Sequence, residues 1–285
     1  MANQHVNSKP GDRYESTARR IGDASPRVSI ITPSFNQAEF LERTICSVLD
    51  QDCPNLEYII IDGGSTDGSV ELIKRYENRL AYWVSEKDRG QAHAINKGLQ
   101  RATGDWVGWQ NSDDTYYAGA FTQLVNAASI NPSAQLIIGN MNLVDKEDRL
   151  LREMKYVKPT YQSLLAEGMV LTNQAAFWKR SLHHEIGFLD ESLDCGFDYE
   201  WFLRLLAHTR QSHHINAAWG ALRLHSETKT SHRQPIFDQE YRQILRGREP
   251  SSWDKRYHQL RRMCLMLANG ELRYVLRGLA ARVAR

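Results

Sequence analysis

The sequence predicts an α/β fold on a mostly parallel, Rossmann-like sheet flanked by helices, and three observations carry that expectation. Short segments such as Tyr58-Ile59-Ile60-Ile61 are apolar at every position, as strands are when helices cover both faces of a parallel sheet. They alternate with segments whose apolar residues recur at helical spacing. Each strand ends in a polar cluster, and ligands of such sheets bind at the carboxyl ends of the strands.

In chain order, Val28–Thr32 is a β-branched run closed by Pro33, and Phe40, Leu41, Thr44, Ile45, Val48 and Leu49 then mark a helix. A second cycle pairs the strand at Tyr58 with a turn at 62–68 and a helix through Val70, Leu72, Ile73 and Tyr76. The third runs from Leu80–Ser85 through Asp88-Arg89-Gly90 into a helix over Gln91–Ala102. The fourth strand, Asp105–Gln110, ends in Asn111-Ser112-Asp113-Asp114. Beyond it the alternation weakens. A helix over Phe121–Ile130, a strand over Gln135–Ile138, a hairpin around Asp145–Arg149, a strand over Gln174–Trp178, a helix over Asp198–His208 and a late strand over Trp219–His225 are expected.

Of the 285 residues, 41% are hydrophobic and 25% charged, the balance of a globular protein. The net charge of +2 excludes a global field that attracts nucleic acid. Charge is nevertheless uneven: from Glu240 to Arg285 there are 11 basic and 4 acidic residues. Cys46, Cys53, Cys195 and Cys264 form no C-x-x-C pair, which suits a reducing compartment. Residues 1–27 read as a loose leader, 28–230 as the main domain and 231–285 as a basic helical extension. No apolar run reaches the ~18 residues of a membrane span, so a cytoplasmic chain is expected.

The turn Asp62-Gly63-Gly64-Ser65-Thr66-Asp67 lets backbone approach a ligand and offers carboxylates to a ribose or base, but taken alone it fits a tight turn capped by Ser65 or Asp67 better. Adjacent carboxylates Asp113 and Asp114 repel unless a hard cation or a hydrogen-bond network offsets them. Mg²⁺ or Mn²⁺ binds one or two carboxylates and fills its shell with phosphate oxygens and water. A solvated turn accounts for the same residues. Asp198 and Glu200 fall in the first turn of a helix, where the dipole favours them as caps and where an aspartate can accept a hydroxyl proton. His225 ends a strand in Arg223-Leu224-His225-Ser226.

Taken in order, these segments resemble the family 2 glycosyltransferases of GT-A fold. The resemblance covers about 28–230, through Val28–Asn36, Ile61–Gly68, Asp88–Gly98, Thr103–Trp106, Asn111–Asp114, Gly187–Leu193, Asp198–Leu205 and Arg223–Ser226. It implies that Pro33, Phe35, Asp62 and Asp88 line the nucleotide-sugar pocket and that Asp113 lies near the ribose. It implies further that Asp114 is the metal-binding carboxylate, that His225 completes the metal shell, and that Asp198 is the catalytic base. Three positions depart from the common pattern: Gly63 replaces a second aspartate, Phe197 replaces a glutamate, and Asn111 replaces the first acidic residue before Asp113-Asp114.

The resemblance implies inverting, metal-dependent transfer from a nucleoside-diphosphate sugar to the hydroxyl of a saccharide or lipid-linked saccharide, in polysaccharide or glycolipid synthesis. A nucleotidyltransferase is the alternative enzyme, although Thr32-Pro33-Ser34-Phe35-Asn36 lacks a Gly-rich basic phosphate loop. A sugar-nucleotide-binding module without catalysis is the alternative from another class. In 251–285, Leu260, Met263, Cys264 and Leu267, then Leu272, Val275, Leu276, Leu279 and Val283, form apolar stripes among arginines. Such helices either rest on the inner face of an anionic membrane or pack against protein, including a second subunit.

Overall fold

The computed structural model describes residues 25–226, residue 228 and residues 233–283, without the side chains of 281–283. The expected leader falls almost wholly outside these residues, as does the boundary expected between 230 and 231. The regular first half contains β1 (Val28–Ser34), α1 (Ala38–Leu49), β2 (Leu56–Asp62), α2 (Ser69–Tyr76), β3 (Tyr82–Ser85), α3 (Gln91–Arg101) and β4 (Trp106–Trp109). Then come β5 (Thr115–Tyr116), α4 (Ala120–Ile130), β6 (Leu136–Val144), β7 (Leu150–Met154), α5 (Tyr161–Glu167), β8 (Ala176–Lys179), α6 (Arg180–Ile186), α7 (Phe197–His208) and β9 (Ser212–Arg223). Helices α8 (Gln234–Leu245), α9 (Ser252–Ala268) and α10 (Leu272–Val283) follow.

One sheet runs β3-β2-β1-β4-β8-β6-β9-β5, with β7 added on β6. Strands β3, β2, β1 and β4 are mutually parallel, while β8 enters antiparallel between β4 and β6. The α/β fold read from the sequence is therefore the observed one. Strand β1 is buried at all seven positions, which is why its sequence shows no alternation. Pro33 is tolerated in this central strand because of its register. Even-numbered β1 residues bond toward β2, as Ser34 O accepts from Gly63 N, and odd-numbered ones toward β4. The β4 register ends at Ile31 opposite Trp109, so the donor that Pro33 lacks faces no strand.

Two strands are longer than the sequence suggests. Strand β6 continues to Val144 and β9 begins at Ser212, pairing Leu136 with Ser212 through Val144 with Arg223. Polar residues hid them. Asn140 is buried, yet its Nδ2 donates to Asn216 Oδ1 (2.9 Å) and its Oδ1 accepts from Tyr156 N (2.9 Å). Only tertiary pairing makes such a residue acceptable inside a strand.

The core holds Trp106, Trp109, Trp178, Trp201 and Trp219, all essentially buried. On the inner side of α6, His183 is fully buried, accepts from Trp178 Nε1 (3.4 Å), and is pushed down to about 4 by burial, with His184 and Arg180 adding to the shift. Burial also pushes His214 down to about 4. The unfolded chain thus binds protons below pH ~6.5 that the native protein refuses, and stability is lost as pH falls from there toward 4. Urea unfolding at pH 7 and pH 5 should show a loss on the order of 2 kcal/mol attributable to His183. His183→Phe should remove that share and leave the share of His214; an unchanged slope would show that His183 titrates normally.

Candidate active site

The loops leaving β1 and β2 are stitched together by side chains. Asn36, in the left-handed region at φ 52°, donates its N–H to Ser65 Oγ (2.8 Å), and its Oδ1 accepts from Thr66 N (2.9 Å). Asp67 accepts from Ala38 N (2.9 Å) and Ser69 N (3.0 Å), capping the starts of α1 and α2 at once. Asp62 is fully buried, and its carboxylate accepts from Gly64 N, Ser65 N, Ser65 Oγ and Ser85 Oγ at 2.5–3.0 Å. Both its oxygens are committed to shaping this floor.

Gly63 explains one departure from the family pattern. A Cβ there would lie 2.6 Å from Asp88 Oδ2 and 3.3 Å from the Phe35 ring, so glycine lets a carboxylate and an aromatic face close over bare backbone. Phe35 is 60% exposed at the end of β1, whereas Pro33 is buried within the strand. Asp88 accepts from Gly90 N at the start of α3 (2.9 Å).

After β4 the two adjacent aspartates part company. Asp114 is only 2% exposed; its Oδ1 accepts from Arg223 N (2.9 Å) and its Oδ2 from Gln174 Nε2 (2.7 Å) and Asn111 Nδ2 (3.1 Å). Burial, reinforced by the Asp113 charge, pushes Asp114 up to about 8. Asp113 is more exposed, at 19% of its side chain, and its Oδ2 lies 3.1 Å from His225 Nε2. The His225 ring rests on Phe40, with centroids 4.5 Å apart. Arg223 fixes this corner: its Nε donates to Asp113 O (2.8 Å), and its buried guanidinium pairs with Asp148 (2.6 Å) at the β6–β7 turn. A recess of about 280 Å³ opens beside His225, lined in part by Asn36, Phe40, Asp67 and Lys146.

Asp113 and His225, which bond to each other at 3.1 Å, supply an oxygen and a nitrogen of the kind a divalent cation accepts, and the carboxylate assigned to the metal in the sequence, Asp114, accepts from three protein donors. Among the described residues no group of three or more His, Cys, Asp or Glu forms a complete cage. Two protein ligands suffice for Mg²⁺ or Mn²⁺, whose remaining positions go to phosphate and water.

Asp198 lies in the first turn of α7, half-buried, with its Oδ1 accepting from Tyr199 N (2.7 Å). Glu200 is set apart by its ion pair with Arg204 (2.6 Å). Phe202, one turn beyond Asp198, stacks on Trp109 at the end of β4 (centroids 5.8 Å), so α7 packs against the end of that strand. Arg89, beside Asp88, is ion-paired with Glu191 in the segment leading to α7. Phe197, where the family commonly has glutamate, is buried in the core. A carboxylate arrives from elsewhere: Glu240 of α8 accepts Asp194 N (2.7 Å), Cys195 N (2.9 Å) and Gly196 N (2.7 Å). Sequence reasoning missed Glu240 because it sits in a polar helix with no motif around it. Arg223 carried a signal, standing two residues before His225.

The sheet brings acidic residues and a histidine to its strand ends, the rim where α/β sheets of this kind bind their ligands. The profile described as Glycosyl transferase family 2 matches residues 29–187, and the chain belongs to that family. An uncharacterized glycosyltransferase of Mycobacterium tuberculosis is 34% identical over 184 residues, 64% of this chain and 69% of that protein. The putative teichuronic acid biosynthesis glycosyltransferase TuaG of Bacillus subtilis is 44% identical over 94 residues, covering 32% of this chain and 37% of TuaG. Among solved structures, Staphylococcus aureus TarS 1–349 in complex with UDP-GlcNAc superposes at TM-score 0.63 and 16% identity, over 77% of this chain and 65% of that one. The mannosyltransferase PcManGT of Pyrobaculum calidifontis, in complex with GDP-Man and Mn²⁺, gives 0.59 at 20% identity, over 92% and 81%. Both likenesses show the shared GT-A fold. Family membership sets aside the nucleotidyltransferase alternative.

Proposed function

We propose that this family 2 glycosyltransferase moves a sugar from a nucleoside-diphosphate donor to a hydroxyl of a saccharide or lipid-linked acceptor, with inversion, in polysaccharide or glycolipid synthesis. The observation that carries the reading is the meeting of Asp113 Oδ2 and His225 Nε2 at 3.1 Å, at the strand end against which α7 packs. We assign the cation, Mn²⁺ or Mg²⁺, to Asp113 and His225, and give Asp114 the task of holding that corner rigid. When bound there, a divalent ion offsets the charge that builds on the departing diphosphate.

The other roles fall to the chain. Phe35 and Asp88 form the donor wall over the backbone of Gly63, and Asp62 fixes the turn beneath without a free oxygen to offer. Asp198 accepts the acceptor's hydroxyl proton as its oxygen bonds to the anomeric carbon and the bond to the diphosphate breaks on the opposite face. Attack from that face inverts the centre. The test is incubation with UDP-, GDP- and dTDP-sugars in Mn²⁺ or EDTA, scored by nucleoside diphosphate release. Release from one donor class in Mn²⁺ alone supports the proposal. Donor binding without release across an acceptor panel would favour the non-catalytic module.

Glu240 is a positioning residue in this scheme. By accepting three successive N–H groups before α7, it fixes where Asp198 points. Displacement of a catalytic group by about 1 Å can cost ~10²-fold. Glu240→Ala should therefore lower kcat by roughly 10–10²-fold with donor KM nearly unchanged, and Glu240→Asp should restore part of the loss. A wild-type kcat in Glu240→Ala would remove Glu240 from the mechanism.

A further inference from the structure

Helices α9 and α10 carry an apolar face that no other described part of the chain covers. In α9, Trp253, Tyr257, Leu260, Cys264 and Leu267 recur at four- and three-residue steps, within an arc of about 80° at 3.6 residues per turn. All five are exposed: Trp253 by 79%, Tyr257 by 63%, Leu260 by 58% and Leu267 by 42%, with Cys264 among them. The opposite side of α9 is the packed one, where His258 and Met266 are buried and Arg262 pairs with Glu167 of α5 (2.6 Å). In α10, Leu272, Leu276 and Leu279 repeat the pattern at 55%, 54% and 44% exposure. The stripe is thus a surface feature of a helix whose packing is already complete on its other side.

Charge decides what the stripe fits. Residues 251–285 hold eight basic and two acidic side chains, and Arg256 and Arg261 flank the α9 stripe on either side. Both carboxylates are engaged within the protein: Asp254 caps α9 through Ser251, and Glu271 binds Lys155 (2.5 Å) and Asn216 (2.9 Å). A second copy laid on this face would bring arginines against arginines with no acid to offset them. Tryptophan and tyrosine near one end of an apolar stripe, with arginines along its borders, match the boundary between headgroups and acyl chains.

We propose that the exposed face of α9 and α10 docks the enzyme on an anionic lipid bilayer, with Trp253, Tyr257 and Leu260 at the acyl boundary and Arg256 and Arg261 among the headgroups. This inference is independent of the catalytic assignments.

The test is flotation of the full chain with vesicles of phosphatidylcholine alone or with phosphatidylglycerol, at low and at physiological salt. Binding is expected on the anionic vesicles only, weakening as salt rises. At ~1 kcal/mol per basic residue, Arg256→Gln with Arg261→Gln should lower the partition coefficient about 30-fold. Trp253→Ser with Leu260→Ser should abolish flotation while leaving donor hydrolysis in vesicle-free solution unchanged; Trp253, Arg256 and Leu260 are exposed and the partly exposed Arg261 gives up only a 3.4 Å bond to Lys158 O, so the fold is preserved. Absence of flotation on anionic vesicles, or flotation that ignores both pairs of substitutions, would overturn the proposal. So would a wild-type dimer in solution that Trp253→Ser with Leu260→Ser converts to monomer, since the face would then be an interface between copies.

Discussion

Asp198→Asn is expected to lower kcat by about 10²–10⁴-fold while leaving metal-dependent donor affinity within a few-fold of wild type. The substitution keeps the side chain's size and its oxygen toward Tyr199 N, the 2.7 Å contact seen at the start of α7. What it removes is basicity: an amide takes no proton from an attacking hydroxyl. Because Asp198 comes from α7 whereas the donor wall comes from the loops after β1, β2 and β3, loss of the base leaves the nucleotide contacts in place. A fall in kcat with unchanged donor affinity marks a group that acts in the transition state. Equal losses in donor binding and turnover would instead show that Asp198 holds the donor.

The second large effect separates two neighbours. Asp113→Asn should cost about 10²–10³-fold in kcat/KM and raise the Mn²⁺ concentration needed for half-activity, because it removes the more exposed carboxylate facing His225. Asp114→Asn should cost far less. Its replacement can still accept from Arg223 N through Oδ1, and its new amide can donate to Gln174 Oε1, which has no partner among the described residues, once the Gln174 amide turns over; the bond lost is the 3.1 Å one from Asn111 Nδ2. The reverse ranking, with Asp114→Asn inactive and Asp113→Asn near normal, would restore the cation to Asp114 as the linear motif first suggests.

That pair also marks how far the sequence could be read. Segments with one burial pattern from end to end, such as β1 and α3, declared themselves through apolar spacing. The polar clusters at their ends pointed to the rim proposed here as the site, since a parallel sheet delivers all its strand ends to one rim. Which of two adjacent aspartates stays the more exposed was illegible, because β5 begins at Thr115 and the turn before it is set by Arg223 and Gln174, residues 109 and 60 positions away from Asp114. Glu240 was hidden for the same reason. Its partners are backbone N–H groups 44–46 residues earlier, and backbone carries no sequence signature. Strands β6 and β9 were cut short because Asn140, His214 and Asn216 satisfy one another only after the two strands pair.

The central claim is a division of labour, with a cation held by Asp113 and His225 on the nucleotide side and a proton acceptor on α7 opposite. Calorimetric titration of a nucleoside diphosphate with and without Mn²⁺ into wild type, Asp113→Asn and Asp198→Asn tests it most directly. Binding that needs Mn²⁺ in wild type, persists in Asp198→Asn and is lost in Asp113→Asn is the expected result. Binding equally tight in EDTA, or lost in Asp198→Asn and kept in Asp113→Asn, would contradict it.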